Sequence, residues 1–297
     1  MIAAFGVVIA AVVVFNAVAL RVARQLRPRL ALWTLSIGAV VVAVLSCIAL
    51  AVVLATLVGQ WGPVAQAGDW SAKAIGRLTP FPPVLSIACG VVLLGVVVSL
   101  LKTTVGGGAQ LRASWSASRG SDRSLVVLPD RDAYAYAVPG WPGRIVASQG
   151  LLESMDASAR RAVIAHEQAH LDQHHELHLF VASLAAATNP LLTRVRGAVR
   201  LACERAADER AVDAVGSRRA VAVAIIRISS PATSKLMLLS AGGSDVPARV
   251  RALLADRGAK GRMSMVVLML AIVVGAAATL WLYNDLDRIF DMAARRS

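Results

Sequence analysis

The chain has 297 residues, of which 57% are hydrophobic, and its mean hydropathy is +0.64. This composition excludes an ordinary soluble domain, and long apolar runs account for it. The formal net charge is +13, which either a nucleic-acid-binding surface or the loops of a membrane protein would explain. The basic residues follow apolar runs, as the four arginines of residues 21–29 do. We therefore favour the membrane interpretation, with lipid as a partner and no direct contact with nucleic acid.

Four apolar runs are long enough to cross a bilayer, which needs about 20 apolar residues. They cover residues 2–20, 30–57, 83–101 and 263–283. The first run lacks a basic start and a convincing cleavage site, so it predicts a retained anchor and not a signal peptide. We therefore expect four transmembrane helices.

Lysine and arginine counts predict the orientation of these spans. The only basic residues of the loop 60–82 are Lys73 and Arg77. The segments after the first and third spans and before the fourth contain several lysines or arginines each. Because cytoplasmic loops carry the excess of positive charge, we expect the N-terminus outside and residues 102–262 inside. The chain then divides into a three-span region (1–101), a Gly-, Ser- and Thr-rich cytoplasmic linker (102–123), a cytoplasmic domain (124–262), a fourth span (263–283) and a short extracytoplasmic tail (284–297).

The cytoplasmic domain opens with strand-like segments. Residues 124–129, 133–138 and 144–147 are rich in apolar residues, and Pro139 and Gly140 mark a turn between the last two. This pattern predicts a short sheet or hairpin.

Helical patterns follow the strands. Asp156 is a plausible N-cap for a helix that runs past residue 166, and a second helix is predicted over Thr193–Val215. Residues 177–192 are apolar but short for a span, which favours a buried or membrane-interface helix. The domain should therefore be mainly helical, with a small β-sheet.

The motif His166-Glu167-Gln168-Ala169-His170 carries the strongest chemical signal, and all five histidines lie within residues 166–178. Residues four apart share one face of a helix, so His166 and His170 can reach one metal ion together. Glu167 between them is placed to act as a base on an attacking water. The alternative is a surface histidine cluster on an amphipathic helix. No CxxC occurs, so a cysteine zinc site is not indicated.

A catalytic zinc ion usually takes three protein ligands, so a third ligand is expected. Glu204 is the candidate, and Asp208 lies four residues later on the same helical face. Asp208 could accept a hydrogen bond from a ligand histidine and fix its tautomer. The alternative is a solvated charged face, since Arg205 and Glu209 are close by.

The remaining histidines have less definite roles. His174 and His178 continue the four-residue spacing, and either could be a ligand or stabilise an oxyanion. An interface or solvated role is the favoured interpretation of both. His175 is expected to lie outside the site.

The peptide substrate of such a site must lie extended beside the metal. Glu167 would take a proton from water and deliver it to the leaving amine. An edge strand at 133–138 could hold the substrate by main-chain pairing. The candidate substrate-binding residues are then Ala133, Tyr134, Ala135, Tyr136 and Ala137. The alternative is that this strand is only part of the small sheet.

Three segments resemble one known family. HEQAH at 166–170, ERAAD at 204–208 and AYAVPGWPGRIVASQGLL at 135–152 are similar to the BlaR/MecR-type membrane metallopeptidases, the bacterial sensor-proteases of β-lactam resistance. The HtpX and CAAX-protease families share the HExxH…ExxxD pattern. Three spans before the zinc domain and one after it match the BlaR/MecR order better.

The resemblance implies an α-helical integral membrane protein with a mainly α, α+β zincin-like (gluzincin) peptidase domain in a bacterial plasma membrane. It implies one zinc ion held by His166, His170 and Glu204, with Glu167 as general base and Asp208 supporting a ligand. Full-length sensors carry an extracellular penicillin-binding domain after the last span. Only about residues 284–297 follow the last span here, so direct sensing of β-lactams by such a domain is not expected.

Three functions remain as hypotheses. The first is a signal-transducing zinc metalloendopeptidase that cleaves a cytoplasmic protein, in particular a winged-helix transcriptional repressor. The second is an HtpX-like quality-control protease of membrane proteins. The third is a non-proteolytic membrane scaffold, against which the intact motif and its ExxxD partner argue. The sequence leaves the oligomeric state open.

Overall fold

A computed structural model of the chain describes residues 1–118, 124–140, 142–228, 245–255 and 261–295. The predicted linker residues 119–123, the predicted tail residues 296–297 and Trp141 lie outside these ranges. The described elements, in chain order, are α1 (Ile2–Gln25), α2 (Pro28–Val58), α3 (Gly62–Ala67), α4 (Ala72–Leu78), α5 (Pro83–Ser118), β1 (Leu125–Leu128), β2 (Ala135–Val138), β3 (Arg144–Ser148), α6 (Gln149–Ser154), α7 (Ala157–Asp172), α8 (His175–Thr188), a 3-10 turn (Pro190–Leu192), α9 (Thr193–Val215), α10 (Arg218–Ile228), α11 (Val246–Leu254) and α12 (Arg262–Ala294).

Four of these helices are long and apolar enough to cross a membrane, which confirms the predicted fold class. They are α1, α2, the segment Pro83–Ala109 of α5, and α12. The first two are separated by a sharp break, because Leu26 is extended and Pro28 opens the next helix. Proline is favoured in a first helical turn, where its missing N–H would have no partner anyway.

Close approaches at small residues hold the four spans together. A Cβ on Gly38 would lie 2.8 Å from the ring of Phe15, and one on Gly275 would lie 3.2 Å from Ala11. In lipid the hydrophobic effect does not drive helices together, so this tight packing stabilises the bundle.

Residues 102–118 differ from the predicted linker, because they continue helix α5. An established helix lengthens by one hydrogen bond for each residue that it orders, and this gain offsets the low helix propensity of glycine. Gly107 also packs against Phe180 of α8, where a Cβ would come within 2.6 Å of the ring. Gly107 therefore marks a helix contact in this segment.

Most of the tail predicted at 284–297 is helical, because α12 continues through residues 284–294. Ser71 donates its backbone N–H to the Ala293 carbonyl at 3.1 Å. The Trp70 ring meets the Phe290 ring edge-on, with 4.8 Å between centroids. The last turns of α12 thus pack on the short helices between α2 and α5.

The three described strands form one sheet with the order β1-β3-β2. β1 pairs parallel to β3, and β2 pairs antiparallel to β3 in the register Tyr136 with Val146. The predicted small sheet is confirmed, and β2 lies at one edge of it. A core of apolar residues joins the sheet to α6, α7, α10 and α11.

Helices α8 and α9 pack into the membrane bundle. His178 Nδ1 lies 2.9 Å from Ser36 Oγ, and Asn189 Nδ2 donates to Ser46 Oγ at 3.2 Å. α8 therefore runs along α2 over ten residues, about 15 Å of helix. The buried or membrane-interface helix predicted at 177–192 corresponds to α8 and the 3-10 turn. α9 shares a core with α1, α2 and α12.

Candidate metal centre

Helix α7 carries the HExxH motif, and its start follows the predicted capping rule. Asp156 Oδ1 accepts the Ala159 N–H at 2.8 Å, which satisfies one of the free donors of the first turn. Ala162, Val163 and Ala169 are buried, so this apolar face docks α7 in the domain. The motif is thus held on a rigid, packed helix.

The donor atoms of His166, His170 and Glu204 meet at one point. The two histidine Nε2 atoms are 3.2 Å apart. Glu204 Oε2 lies 3.6 Å from the Nε2 of His166, and Glu204 Oε1 lies 3.7 Å from the Nε2 of His170. Tetrahedral zinc with bonds of 2.0–2.1 Å separates its ligand atoms by about 3.3 Å. The three predicted ligands therefore lie together at a spacing that fits one zinc ion.

Asp208 lies on the other side of His166. Its Oδ1 is 3.0 Å from His166 Nδ1, and its side chain is buried. A histidine that binds a metal through Nε2 carries its proton on Nδ1 and donates it to such a carboxylate. The predicted tautomer-fixing contact is present in the geometry.

Arg249, from α11, completes this side of the site, and the sequence reasoning missed it. It donates to both carboxylate oxygens of Asp208, at 2.9 and 2.6 Å, and its Nη1 lies 2.8 Å from Glu204 Oε2. The only available signal was that a buried Asp208 needs a cation. Many arginines were candidates for that partner.

The electrostatics of the centre attract positive charge. Burial opposes protonation of His166, but the 3.0 Å contact with Asp208 and the nearby Glu204 carboxylate outweigh it and raise the pKa of His166 to about 10. Burial would raise the pKa of Glu204, but the neighbouring His166 ring and the charge of Arg249 hold it well below its usual range. A metal cation would occupy the same negative field after displacing the His166 proton.

Glu167 faces the centre from the neighbouring position of α7. Burial raises the pKa of its carboxyl to about 7. Its Oε2 accepts the backbone N–H of Ala137 at 2.8 Å, which stabilises the ionised form. A carboxylate with a pKa near neutrality suits general-base chemistry.

The predicted substrate strand is placed beside the metal centre, but it is shorter than predicted. β2 contains Ala135, Tyr136 and Ala137, whereas Ala133 and Tyr134 precede it. Tyr134 donates its backbone N–H to Ser148 Oγ at 3.0 Å. The Ala137 N–H is bonded to Glu167, so it is not free for pairing with a substrate.

The histidines after the motif are separated by a break in the helix. α7 ends at Asp172, and His174 takes a left-handed conformation with φ of 48°. His174 is exposed, and His178 contacts Ser36, in agreement with the favoured interpretation of both.

The expectation for His175 was wrong. Its Nδ1 lies 2.9 Å from His170 Nδ1, and its ring is buried against that ligand. The left-handed residue turns the chain back, so the helical spacing that placed His175 elsewhere does not apply beyond residue 172.

Comparisons with known proteins identify the family of this chain. The family model of Peptidase family M48 matches residues 112–294, more than half of the chain. No curated protein and no solved structure matches the chain significantly. The family match does not separate a BlaR/MecR-type from an HtpX-like relationship. Together with the four membrane-spanning helices, it shows that this chain belongs to peptidase family M48 and is a membrane metallopeptidase.

Proposed function

We propose that this peptidase is a zinc-dependent metalloendopeptidase with one zinc ion held by His166, His170 and Glu204. The observation that carries the proposal is the meeting of these three donors at tetrahedral spacing, beside the half-buried carboxylate of Glu167. A non-proteolytic scaffold would have no use for a base with a raised pKa next to a complete ligand set.

The chemistry follows from the position of each side chain. Zinc supplies a Lewis acid that lowers the pKa of water and polarises a carbonyl. Glu167 accepts a proton from the attacking water and returns it to the leaving amine. Asp208 keeps His166 in the tautomer that presents Nε2, and Arg249 holds Asp208 and Glu204 in place. A substrate segment beside β2 would lie next to these groups.

The orientation that we propose follows the charge distribution. Residues 102–262, which include the peptidase domain at 124–262, face the cytoplasm of a bacterial cell, and the end of α12 faces outward. The arginine-rich loop 21–29 supports this, because it lies at the same end of the bundle as the site. Arg205, next to Glu204, donates to carbonyls of Ala23 and Leu26 at that end. Cysteine labelling in intact cells tests the orientation, and external labelling near residue 166 would refute it.

We propose a cytoplasmic protein substrate, in particular a winged-helix transcriptional repressor, as the BlaR/MecR resemblance implies. One observation favours a second candidate, an HtpX-like role on membrane proteins. α8 begins at the metal centre and runs into the bundle along α2, so the site lies at the end of the membrane spans. A scissile bond close to the membrane would reach it readily.

Glu167→Gln tests the enzyme and its substrate together. Glutamine keeps the shape of the side chain but cannot accept a proton at neutral pH, and general-base catalysis contributes roughly 10²–10⁴-fold. We expect the variant to keep about one zinc per chain and to lose cleavage. Glu153→Gln, on an exposed glutamate of α6, is the matched control.

Proteomics of cells that carry the two variants identifies the substrate. Accumulation of an uncut DNA-binding protein in the Glu167→Gln cells supports the repressor. Accumulation of membrane proteins alone supports the quality-control role. Cleavage at the wild-type rate would show that Glu167 is not the base.

A further inference from the structure

We propose that His175 is a positioning residue of the metal centre: its buried imidazole accepts the Nδ1 hydrogen of His170 and so holds the Nε2 of His170 toward the metal. This rests on the proposed zinc site. The two Nδ1 atoms are 2.9 Å apart, and the rings meet edge-on with 4.6 Å between centroids. Such a contact is a hydrogen bond and cannot be only a packing contact.

The positions of the protons follow from the geometry. Two facing ring nitrogens form a hydrogen bond only when one of them carries a proton. The Nε2 of His170 lies among the other ligand atoms, 3.2 Å from the Nε2 of His166, so it must present a lone pair to bind a metal. The proton of His170 is then on Nδ1, and His175 Nδ1 is the acceptor. The proton of His175 is therefore on its own Nε2.

The second ring nitrogen of His175 provides another observation. Its Nε2 is fully buried and has no hydrogen-bond partner among the residues that the structure describes. A buried N–H without a partner destabilises a fold, so a leucine of similar size would be more favourable if the position served packing alone. The buried imidazole is thus explained by its contact with His170.

The backbone between the two helices brings the ring into place. His174 has φ of 48°, in the left-handed region, and α8 begins at the next residue. This turn puts the first side chain of α8 over His170, while His174 itself points to solvent. Adjacent residues of the same type therefore have opposite environments, which gives the test a natural control.

The two ligand histidines are consequently supported in different ways. His166 donates to a carboxylate, that of Asp208, which Arg249 clamps. His170 donates to a neutral imidazole, which is a weaker acceptor than a carboxylate. The orientation of the His170 ring therefore depends on burial and on the orientation of the His175 ring.

The test uses three variants of the full chain in detergent micelles. His175→Leu removes the acceptor at similar volume, and His175→Asn restores an acceptor oxygen. His174→Asn is the control, because asparagine tolerates the left-handed backbone of that position. Zinc affinity is measured by competition with a chromogenic chelator, and the visible spectrum of the cobalt-substituted protein reports ligand geometry. Loss of a support to a metal ligand typically weakens metal binding by about 10–100-fold.

We expect that loss, with an altered cobalt spectrum, for His175→Leu. Substantial recovery is expected for His175→Asn and no change for His174→Asn. Wild-type affinity in His175→Leu would overturn the proposal, and so would equal losses in the leucine and asparagine variants, since packing would then explain them. A wild-type chain that binds no zinc would instead refute the proposed function on which the inference rests.

A second measurement does not depend on the variants folding. The chain has five histidines, so its ¹⁵N-histidine spectrum is simple enough to assign. In the zinc-loaded wild type we expect the proton of His170 on Nδ1 and that of His175 on Nε2. A proton on Nδ1 of His175 would overturn the assignment.

Discussion

Two buried threonine hydroxyls of the membrane bundle and the charged groups of the metal centre find their hydrogen-bond partners in different ways. In the bundle, Thr56 and Thr279 donate to carbonyls three or four residues earlier in their own helices, at 2.7 and 2.8 Å. At the metal centre, the buried groups pair between elements that lie far apart in sequence. Arg249 reaches across 41 residues to Asp208, and the Ala137 N–H reaches across 30 residues to Glu167.

This difference has an energetic consequence. A hydroxyl that donates to a carbonyl of its own helix keeps this hydrogen bond however the helices pack. Its contribution to stability therefore depends little on the neighbouring helices. A buried ion that is paired across elements is left without compensation when one partner is removed. Polar substitutions at the metal centre should therefore have much larger effects than polar substitutions in the bundle.

His166→Ala should give the largest effect, because it removes a metal donor outright. We expect zinc content to fall from about one ion per chain to almost none, with loss of peptidase activity. Metal analysis of the purified protein measures this, with His174→Asn as the exposed-histidine control, because asparagine tolerates the left-handed backbone of residue 174. Full retention of zinc in His166→Ala would refute the ligand assignment.

Arg249→Ala should give the second-largest effect, a loss of stability in the metal-free protein. It leaves the buried Asp208 and the half-buried Glu204 without their cation, and breaking a buried ion pair costs about 3–5 kcal/mol. Zinc brings its own positive charge to the same carboxylates, so the loss of stability should shrink when zinc is bound. Thermal unfolding with and without a chelator measures both, and Arg251→Ala on the exposed face of α11 is the control. An equal loss in both states would contradict a role at the metal.

A pH profile sharpens the comparison at the Ala137–Glu167 contact. Glu167 acts as a base only when ionised, so activity falls as the pH drops through its pKa. That pKa is about 7 without metal, and a bound dication lowers it. The acid limb of the wild-type profile should therefore lie below pH 7.

Ala137→Pro removes the N–H that stabilises the ionised Glu167. A hydrogen bond to a charged group contributes about 1.5–3 kcal/mol, so the acid limb should move up by about one to two pH units. Profiles of kcat/KM measure the shift, and Ala137→Ser, which keeps the N–H at the same position, is the control. An unchanged limb would mean that this contact does not tune the base.

Thr279→Val tests the other side of the comparison and should give the smallest effect. It removes a hydroxyl that bonds to the Gly275 carbonyl of its own helix. We expect a change in stability below about 1 kcal/mol, as for most polar pairs in membrane helices. Thermal unfolding in the same detergent checks it. A loss as large as that of Arg249→Ala would end the distinction between the two regions.

The sequence by itself determined the features that depend on neighbours along the chain. Apolar length predicted the four spans, and the Asp156 cap and helical spacing predicted α7 with its histidine pair. Thr193–Val215 was predicted with the bounds that the structure has. These features are local, because helix geometry relates residues three or four apart whatever surrounds them.

Only the tertiary structure decided which distant groups meet. It brought Arg249 to Asp208 and Glu204, placed His175 on His170, and laid α8 along α2. The chain has many arginines, and nothing local to α11 distinguishes Arg249 from the others before the helices pack. The prediction for His175 failed for a related reason: one left-handed residue, His174, cancels the helical spacing on which the prediction relied. Long-range pairing depends on the whole fold, because a buried charge needs a partner that is close in space, and that partner can lie far away in the sequence.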